Sequence, residues 1–491
     1  MQLPSQPREF QLWIDGNPTA SSDVDWIERE SPGHAVPVTR VPAGTTADVD
    51  RAVAAARIAF DEGPWPWTKS SERAAILTDV AQRLRAATDE LAYWETLESG
   101  KPISQSRAEV EWTAGLWEYA AALSRHLYGD SCNTLGRGTL GMTLRDPIGV
   151  VGMITPWNFP MLIISQKLPF ALAAGCTCVI KPSEMTSATT LLIADICAAA
   201  GVPAGVINVI TGYGEPVGQR IAEHDDVDMV SFTGSTAIGK AIVRAAASNL
   251  KKVSLELGGK NPMIVFDDAD LDSAVDAARL GAYFNMGECC NSSSRILVQA
   301  GIAEQFREKF VTAAAELPLG DPLDEGTKLG AIINDQQEGK ILDYIQSGKQ
   351  AGANVVLGGE KLPDSRGRFI QTTVLDGVTP KMSIAREEIF GPVLSIIQFA
   401  DQKEAIQIAN GTPYGLSAAV WTRDYDTALS VTRQLRAGTV WVNTWLDGNA
   451  EMSFGGFKQS GLGRELGRSA VEEFTEPKSV QMQIGPRTPW W

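Results

Sequence analysis

Histidine is almost absent from this chain: 491 residues contain only His34, His126 and His224, none in a segment that reads as catalytic. Ser-His-Asp and Cys-His arrangements are therefore poor candidates for its chemistry. Cysteine is also scarce. Six residues (Cys132, Cys176, Cys178, Cys197, Cys289 and Cys290) are too few for a disulfide scaffold at this length. Cys176-Thr177-Cys178 and Cys289-Cys290 lack zinc-site spacing and nearby histidine, so no metal is expected. Reduced thiols in the cytoplasm are the simplest reading. Residues 1–9 are polar and lack the apolar stretch of a secretory signal. The most apolar region, 150–180, is broken by Pro156, Asn158, Pro160, Lys167 and Pro169, so buried core is expected there rather than a membrane span. Positive charge is in deficit: 43 Lys and Arg against 59 Asp and Glu leave a net charge of −16. Such a surface repels nucleic acid and anionic membranes, and neither is expected as a partner. No internal repeat, low-complexity tract or long linker interrupts the chain.

What is present is an ordinary globular composition, 44% hydrophobic, in a chain longer than one core usually serves. Residues 46–122 read as successive amphipathic helices, opened by a cap at Thr46. Residues 134–146 alternate in strand fashion around turn signals and suggest a β-hairpin. From residue 148 strands and helices alternate: strands at 149–154, 177–180, 206–210 and 227–232, helices at 159–174, 187–200, 217–224 and 237–247. That alternation predicts right-handed crossovers and a parallel sheet. A second α/β set follows, with strands at 263–266, 295–298, 369–375, 393–399 and 439–442 and a helix at 302–317. A last strand is expected at 479–484 and a tail at 486–491. The fold class is thus α/β: two doubly wound Rossmann-like domains, 1–124 with 148–258 and then 259–470. A small β arm of 125–147 and 471–491 would pair within the chain or across subunits.

Two residues supply chemistry without histidine. Cys290 is a candidate thiol nucleophile, and Glu256, 34 residues upstream, a candidate carboxylate base. Gly234-Ser235-Thr236-Ala237-Ile238-Gly239 follows an expected strand and opens an expected helix, a turn that presents backbone N–H groups to a phosphate. The stretch 234–240 nearly matches a P-loop, but Ala241 stands where a magnesium-holding Ser or Thr is needed. The fragment Gly212-Tyr213-Gly214 is too short to be a dinucleotide fingerprint by itself.

Taken together the motifs resemble the aldehyde dehydrogenase superfamily, in order and over nearly the whole chain. They are Pro156-Trp157-Asn158-Phe159-Pro160, Lys181-Pro182-Ser183-Glu184, Phe232-Thr233-Gly234-Ser235-Thr236, Leu255-Glu256-Leu257-Gly258-Gly259-Lys260, the Cys290 segment, Glu387-Glu388-Ile389-Phe390-Gly391-Pro392-Val393 and Phe454-Gly455-Gly456-Phe457-Lys458. The resemblance implies Cys290 as nucleophile, with Cys289 the competing candidate placed one residue early. It implies Asn158 and the Cys290 N–H as an oxyanion hole, and Glu256 as the base that activates water. Glu256 also argues against the CoA-acylating branch. Lys167 and Glu465 match a proton-relay pair, for which a structural ion pair is the alternative. The implied cofactor is NAD, held by Ile154, Trp157, Lys181, Glu184, Gly214, Gly234, Ser235, Leu257, Glu388 and Phe390. The Glu184 carboxylate suits a free ribose hydroxyl and repels a 2′-phosphate.

Two departures from the family pattern stand out. Glu288 replaces a frequent Gln and, as an anion, would raise the Cys290 pKa unless it points away or is paired. Ser453 replaces a frequent Pro before Phe454. Neither removes a catalytic group. A small-molecule aldehyde is the expected partner, and a homodimer or homotetramer the expected assembly. Tyr119, Met161, Asn291, Trp445 and Asp447 are expected to line the substrate tunnel. The aromatic and acidic loop 443–451 suggests a cationic aldehyde such as betaine aldehyde or an aminoaldehyde. An NADP-linked semialdehyde dehydrogenase and a catalytically idle binding protein on the same scaffold are the alternatives.

Overall fold

A computed structural model describes residues 2–491 except 364, 488 and 490, so part of the expected tail lies outside the described residues. Strands Val150–Ile154 and Thr177–Lys181 are buried at every residue, as parallel strands covered on both faces must be. They join Ile207–Val209, Met229–Thr233 and Lys252–Glu256 in parallel pairing. Val150–Ile154 has its successor on one side and Met229–Thr233 on the other, so the winding reverses between these two. Such a reversal opens a crevice at the carboxyl ends of the strands. Antiparallel strands extend both edges to eight: Leu12–Ile14 with Asn17–Thr19 on one side, and Gly461–Leu462 on the other.

The second sheet has seven strands, in the order Asn354–Leu357, Thr373–Asp376, Val393–Phe399, Arg295–Gln299, Pro262–Val265, Ser417–Trp421 and Thr439–Val442. Only Asn354–Leu357 is antiparallel to its neighbour. The α/β class with two doubly wound sheets is therefore as the sequence implies. The strand expected at 369–375 is confined to Thr373–Asp376, and the sequence reading missed Lys252–Glu256 and Ser417–Trp421.

Four helices cover the expected helical region: Thr46–Asp61, Ser70–Ala86, Thr88–Ser99 and Ile103–Ser124. The first cap is Thr45, one residue earlier than expected; its side chain accepts from the Asp48 N–H in a capping box. The expected hairpin is displaced: Thr139–Pro147 pairs with Asp130–Cys132, upstream of the predicted span. Thr475–Gln483 pairs with Thr139–Pro147 over its whole length, so the two separated β pieces meet within one chain. The helix Gly467–Glu473 packs through Ala470 and Val471 into the core of the first sheet, beside Phe170 and Leu168.

One correction bears directly on the site. The single helix expected at 159–174 is two, Pro160–Ser165 and Leu168–Ala174. Pro169 lacks an N–H, and its ring would meet the carbonyl four residues back, so a continuous helix breaks here. The break turns Lys167 into the interior, where it is fully buried.

Candidate active site

Glu256 closes strand Lys252–Glu256, and Gly258-Gly259 then leads directly to strand Pro262–Val265 of the other sheet. The Glu256 side chain is buried, and neither carboxylate oxygen has a hydrogen-bond partner among the described residues. Burial, and then the neighbouring Glu465, push its pKa well above the carboxylate range; Lys167 and Arg464 pull the other way. Gly455 makes the room: a Cβ there would lie 2.9 Å from Glu256 Oε1 and 2.8 Å from Arg464 Cδ. The Lys167 ammonium donates to Glu465 in a buried ion pair beside this carboxyl.

Cys290 lies after a tight left-handed run. Asn285, Met286 and Gly287 all have positive φ (49°, 57° and 70°). The run is pinned by Asn285, whose Nδ2 donates to the carbonyls of Asn158 at 3.0 Å and Glu288 at 3.1 Å. Asn158 Nδ2 donates to the same Glu288 carbonyl at 3.0 Å, which brings the Asn158 amide onto the nucleophile loop. From the other side Asn261 Nδ2 holds the carbonyls of Cys290 (2.7 Å) and Ser292 (2.9 Å). Cys290 is half-buried and Cys289 buried. The adjoining Cys289 thiol, then burial, push Cys290 up, with Glu388 and Glu256 adding to it; the same thiol contact holds Cys289 down, so the pair titrates together. Glu288 is turned away: its carboxylate accepts the Ile333 N–H at 3.2 Å, and burial pushes its pKa well up. The proposed electrostatic conflict with Cys290 is relieved by that orientation.

The crevice at the winding reversal is lined as a dinucleotide requires. Ile154 ends the first strand, and Thr155-Pro156-Trp157 follows, with the Thr155 hydroxyl buried and unpartnered. Lys181 ends the next strand, and its Nζ donates to Glu184 at 3.2 Å; burial lowers its pKa. Gly234 and Ser235 follow the fourth strand, where Ser235 Oγ accepts the Ile238 N–H and caps the helix Thr236–Ala246. Gly214 is exposed, with open space where a side chain would be. Leu257 donates its N–H to the Ser460 carbonyl and packs against Gly239, at whose Cβ position it lies 2.7 Å away. Across the crevice Glu388 Oε1 accepts the Gly259 N–H at 2.9 Å, and the Phe390 ring meets Trp157 edge-on at 5.4 Å. The helix N-terminus at Thr236, the side chains of Lys181, Glu184 and Glu388, and the two aromatic rings fit the parts of a dinucleotide.

The expected tunnel residues are only partly together. Met161 is fully buried in the core with Leu168 and Phe170. Trp445 is 2% exposed and packs in the second sheet's core, its ring 5.0 Å from Trp441. Tyr119 is half-buried against Phe170, Asn291 is half-buried, and exposed Asp447 accepts from Thr444 Oγ1. Sequence reasoning missed Asn261, Gly455 and an apolar group of Phe159, Leu162, Ile163 and Phe284 around Cys289. For Asn261 the only signal was an Asn directly after Gly258-Gly259-Lys260.

A sequence model of the aldehyde dehydrogenase family matches residues 19–480. An aldehyde dehydrogenase of Emericella nidulans is 46% identical, covering 93% of this chain and 91% of its own length. The betaine aldehyde dehydrogenase of Bacillus subtilis is 40% identical, covering 98% and 99%. Among solved structures, an NAD-dependent aldehyde dehydrogenase from Sinorhizobium meliloti superposes with a TM-score of 0.97 at 48% identity, covering 98% of this chain and 96% of that one.

Proposed function

The chain belongs to the aldehyde dehydrogenase family, and on that premise we propose that it oxidises an aldehyde to a carboxylic acid through Cys290, with NAD as its cofactor. The supporting observation is the juxtaposition at one seam of a half-buried thiol and a buried carboxylate whose oxygens no protein group occupies. Cys290 Sγ attacks the carbonyl carbon, and its proton passes to a base. Asn158 Nδ2 and the Cys290 N–H stabilise the oxyanion of the thiohemiacetal, for which Asn158 exchanges its Glu288 carbonyl partner. NAD, when bound, would supply the hydride acceptor that oxidation of this adduct to a thioester requires. Glu256 then removes a proton from water, the hydroxide adds to the thioester, and the acid leaves with the Cys290 thiol restored. Burial raises the Glu256 pKa, Glu465 adds to that and Lys167 opposes it, and the Lys167–Glu465 pair offers an onward path for the proton.

Lys181 and Glu184 would hold the adenosine ribose of bound NAD, and Glu388 the nicotinamide ribose. Trp157 and Phe390 would flank the ring side, with Ile154, Gly214, Gly234, Ser235 and Leu257 completing the cradle. We assign the eight-stranded sheet unit to cofactor binding and the seven-stranded unit to catalysis. The three-stranded sheet of Asp130–Cys132, Thr139–Pro147 and Thr475–Gln483 is an assembly arm for a homodimer or homotetramer: Thr475–Gln483 has one unpaired edge and is mostly exposed. No helix among the described residues is long and apolar enough to cross a membrane. A cytoplasmic setting is proposed from six unpaired cysteines.

The finer assignment of a cationic aldehyde rested on Trp445 with the two acids of loop 443–451, Asp447 and Glu451. With Trp445 packed in a core, that reading keeps the exposed Asp447 and Glu451, the latter close enough to Tyr119 to raise its pKa after burial does. The test is NADH formation over neutral, cationic and anionic aldehydes with either NAD⁺ or NADP⁺. Turnover that disappears in Cys290→Ala supports the proposal; turnover that persists contradicts it.

A further inference from the structure

Lys260, Arg295 and Ser417 stand at the amino ends of three consecutive strands of the seven-stranded sheet. Lys260 comes just before Pro262–Val265, Arg295 opens Arg295–Gln299, and Ser417 opens Ser417–Trp421. With Asn410, Tyr414 and Arg436 they line a small cavity. About 10 Å³ of it is free to the centre of a water-sized guest, which is room for one. None of the residues assigned above to the thiol, the base or the cofactor lines it.

The lining carries positive charge that nothing answers. Lys260 is 1% exposed, and its Nζ has no hydrogen-bond partner among the described residues. Arg295 is equally buried. Its Nε donates to the Lys260 carbonyl at 3.0 Å, Nη1 to that of Ile408 at 3.1 Å and Nη2 to that of Ala409 at 3.0 Å. Three of the five guanidinium N–H groups are thereby used, all on neutral acceptors. Ser417 Oγ is buried and unpartnered as well. Close by, Lys458 Nζ donates to the carbonyls of Asn410 at 3.3 Å and Thr412 at 2.9 Å, and Arg436 is exposed at the rim. The acids that act on Lys260 are turned elsewhere: Glu388 accepts the Gly259 N–H, and Glu387 the Tyr344 hydroxyl. Burial alone brings Arg295 down to about 9, and burial followed by Arg295 brings Lys260 down to about 7. A water molecule in the cavity would satisfy the donors and leave the charges standing, and a buried unpaired charge costs far more than an unpaired dipole. An anion answers both: it accepts from Lys260 Nζ, Ser417 Oγ and the unused guanidinium N–H groups, and its charge opposes the cost of burying the two cations.

We propose that the cavity at Lys260, Arg295 and Ser417 is a binding site for one small inorganic anion of chloride size. Room for a single water-sized guest excludes phosphate and larger oxyanions. Bromide is the probe, because its anomalous scattering distinguishes it from water. Crystals of the wild-type protein grown in sodium bromide are expected to show an anomalous peak in this cavity, in contact with Lys260 Nζ. The peak is expected to vanish in Lys260→Met, which keeps the length of the side chain and removes its charge. In solution, replacing sodium gluconate by sodium bromide at equal ionic strength is expected to raise the Tm of the wild type saturably, by about 2–4 °C more than that of Lys260→Met. Ser417→Ala, which removes one donor and leaves the lysine, is expected to raise the half-saturating bromide concentration about threefold to tenfold; it carries the test if Lys260→Met does not fold. Water in the cavity of the bromide crystals overturns the proposal. So does a bromide peak without a saturable shift in solution, or an equal shift in Lys260→Met.

Discussion

In the eight-stranded sheet the residues of the site follow their strands, whereas in the seven-stranded sheet they precede them. Asn158 comes after Val150–Ile154, Lys181 ends its strand, Gly234 and Ser235 come after Met229–Thr233, and Glu256 ends its strand. On the other side Asn261 precedes Pro262–Val265, Cys290 precedes Arg295–Gln299, and Glu388 and Phe390 precede Val393–Phe399. The carboxyl edge of one sheet therefore meets the amino edge of the other. Bonds from Gly259 to Glu388, Asn285 to Asn158, and Asn158 to Glu288 close the seam. The rule that α/β sheets bind ligands at their carboxyl ends finds the cofactor half of such a site and is silent on the nucleophile half.

The seam is broken most completely on the amino-edge side. Cys290→Ala is expected to lower kcat by about 10⁴ or more, since nucleophiles act as a unit with their partners; steady-state NADH formation measures it. On the carboxyl-edge side Glu256→Gln is expected to cost about 10²–10⁴ in steady-state turnover while leaving a single-turnover burst of NADH in rapid mixing. Asn158→Ala, which loosens the contact between the two edges, is expected to cost about 10²–10³ in kcat. A smaller effect sharpens the roles of the buried pair. Glu256 works as the carboxylate and its pKa is raised, so activity limited by water attack falls as pH drops through that raised value. Lys167→Met removes a charge that lowers this pKa and should move the acid limb of the kcat profile to higher pH; Glu465→Gln removes one that raises it and should move the limb to lower pH. Two limbs moving together would leave the pair with a structural role only. Smallest is Glu184→Ala on the cofactor side, expected to raise the NADP⁺ to NAD⁺ ratio of kcat/KM about tenfold by removing a repelling carboxylate.

The two edges also differ in how openly they stood in the sequence. Val150–Ile154 and Thr177–Lys181 are wholly buried, with apolar residues at 150–154 and 178–180, and announce themselves. Ser417–Trp421 is equally buried, but its small residues Ser417, Ala418 and Ala419 hide it. Cys290 and Glu256 were found by residue type and motif in a chain nearly free of histidine. Gly455 stood in a motif without a role, because its reason is a close approach to Glu256 from a distant segment. Met161 was misplaced for a local reason: Pro160–Ser165 is too short for its periodicity to reveal that Ile163 faces Cys289, Met161 faces the core and Leu162 packs against both.

The most direct test of chemistry at the seam is intact and peptide mass spectrometry of Glu256→Gln, quenched after mixing with acetaldehyde and NAD⁺. An acetyl thioester on Cys290, formed with one NADH per subunit, is the predicted result. No adduct, or an adduct on Cys289 alone, would contradict the account.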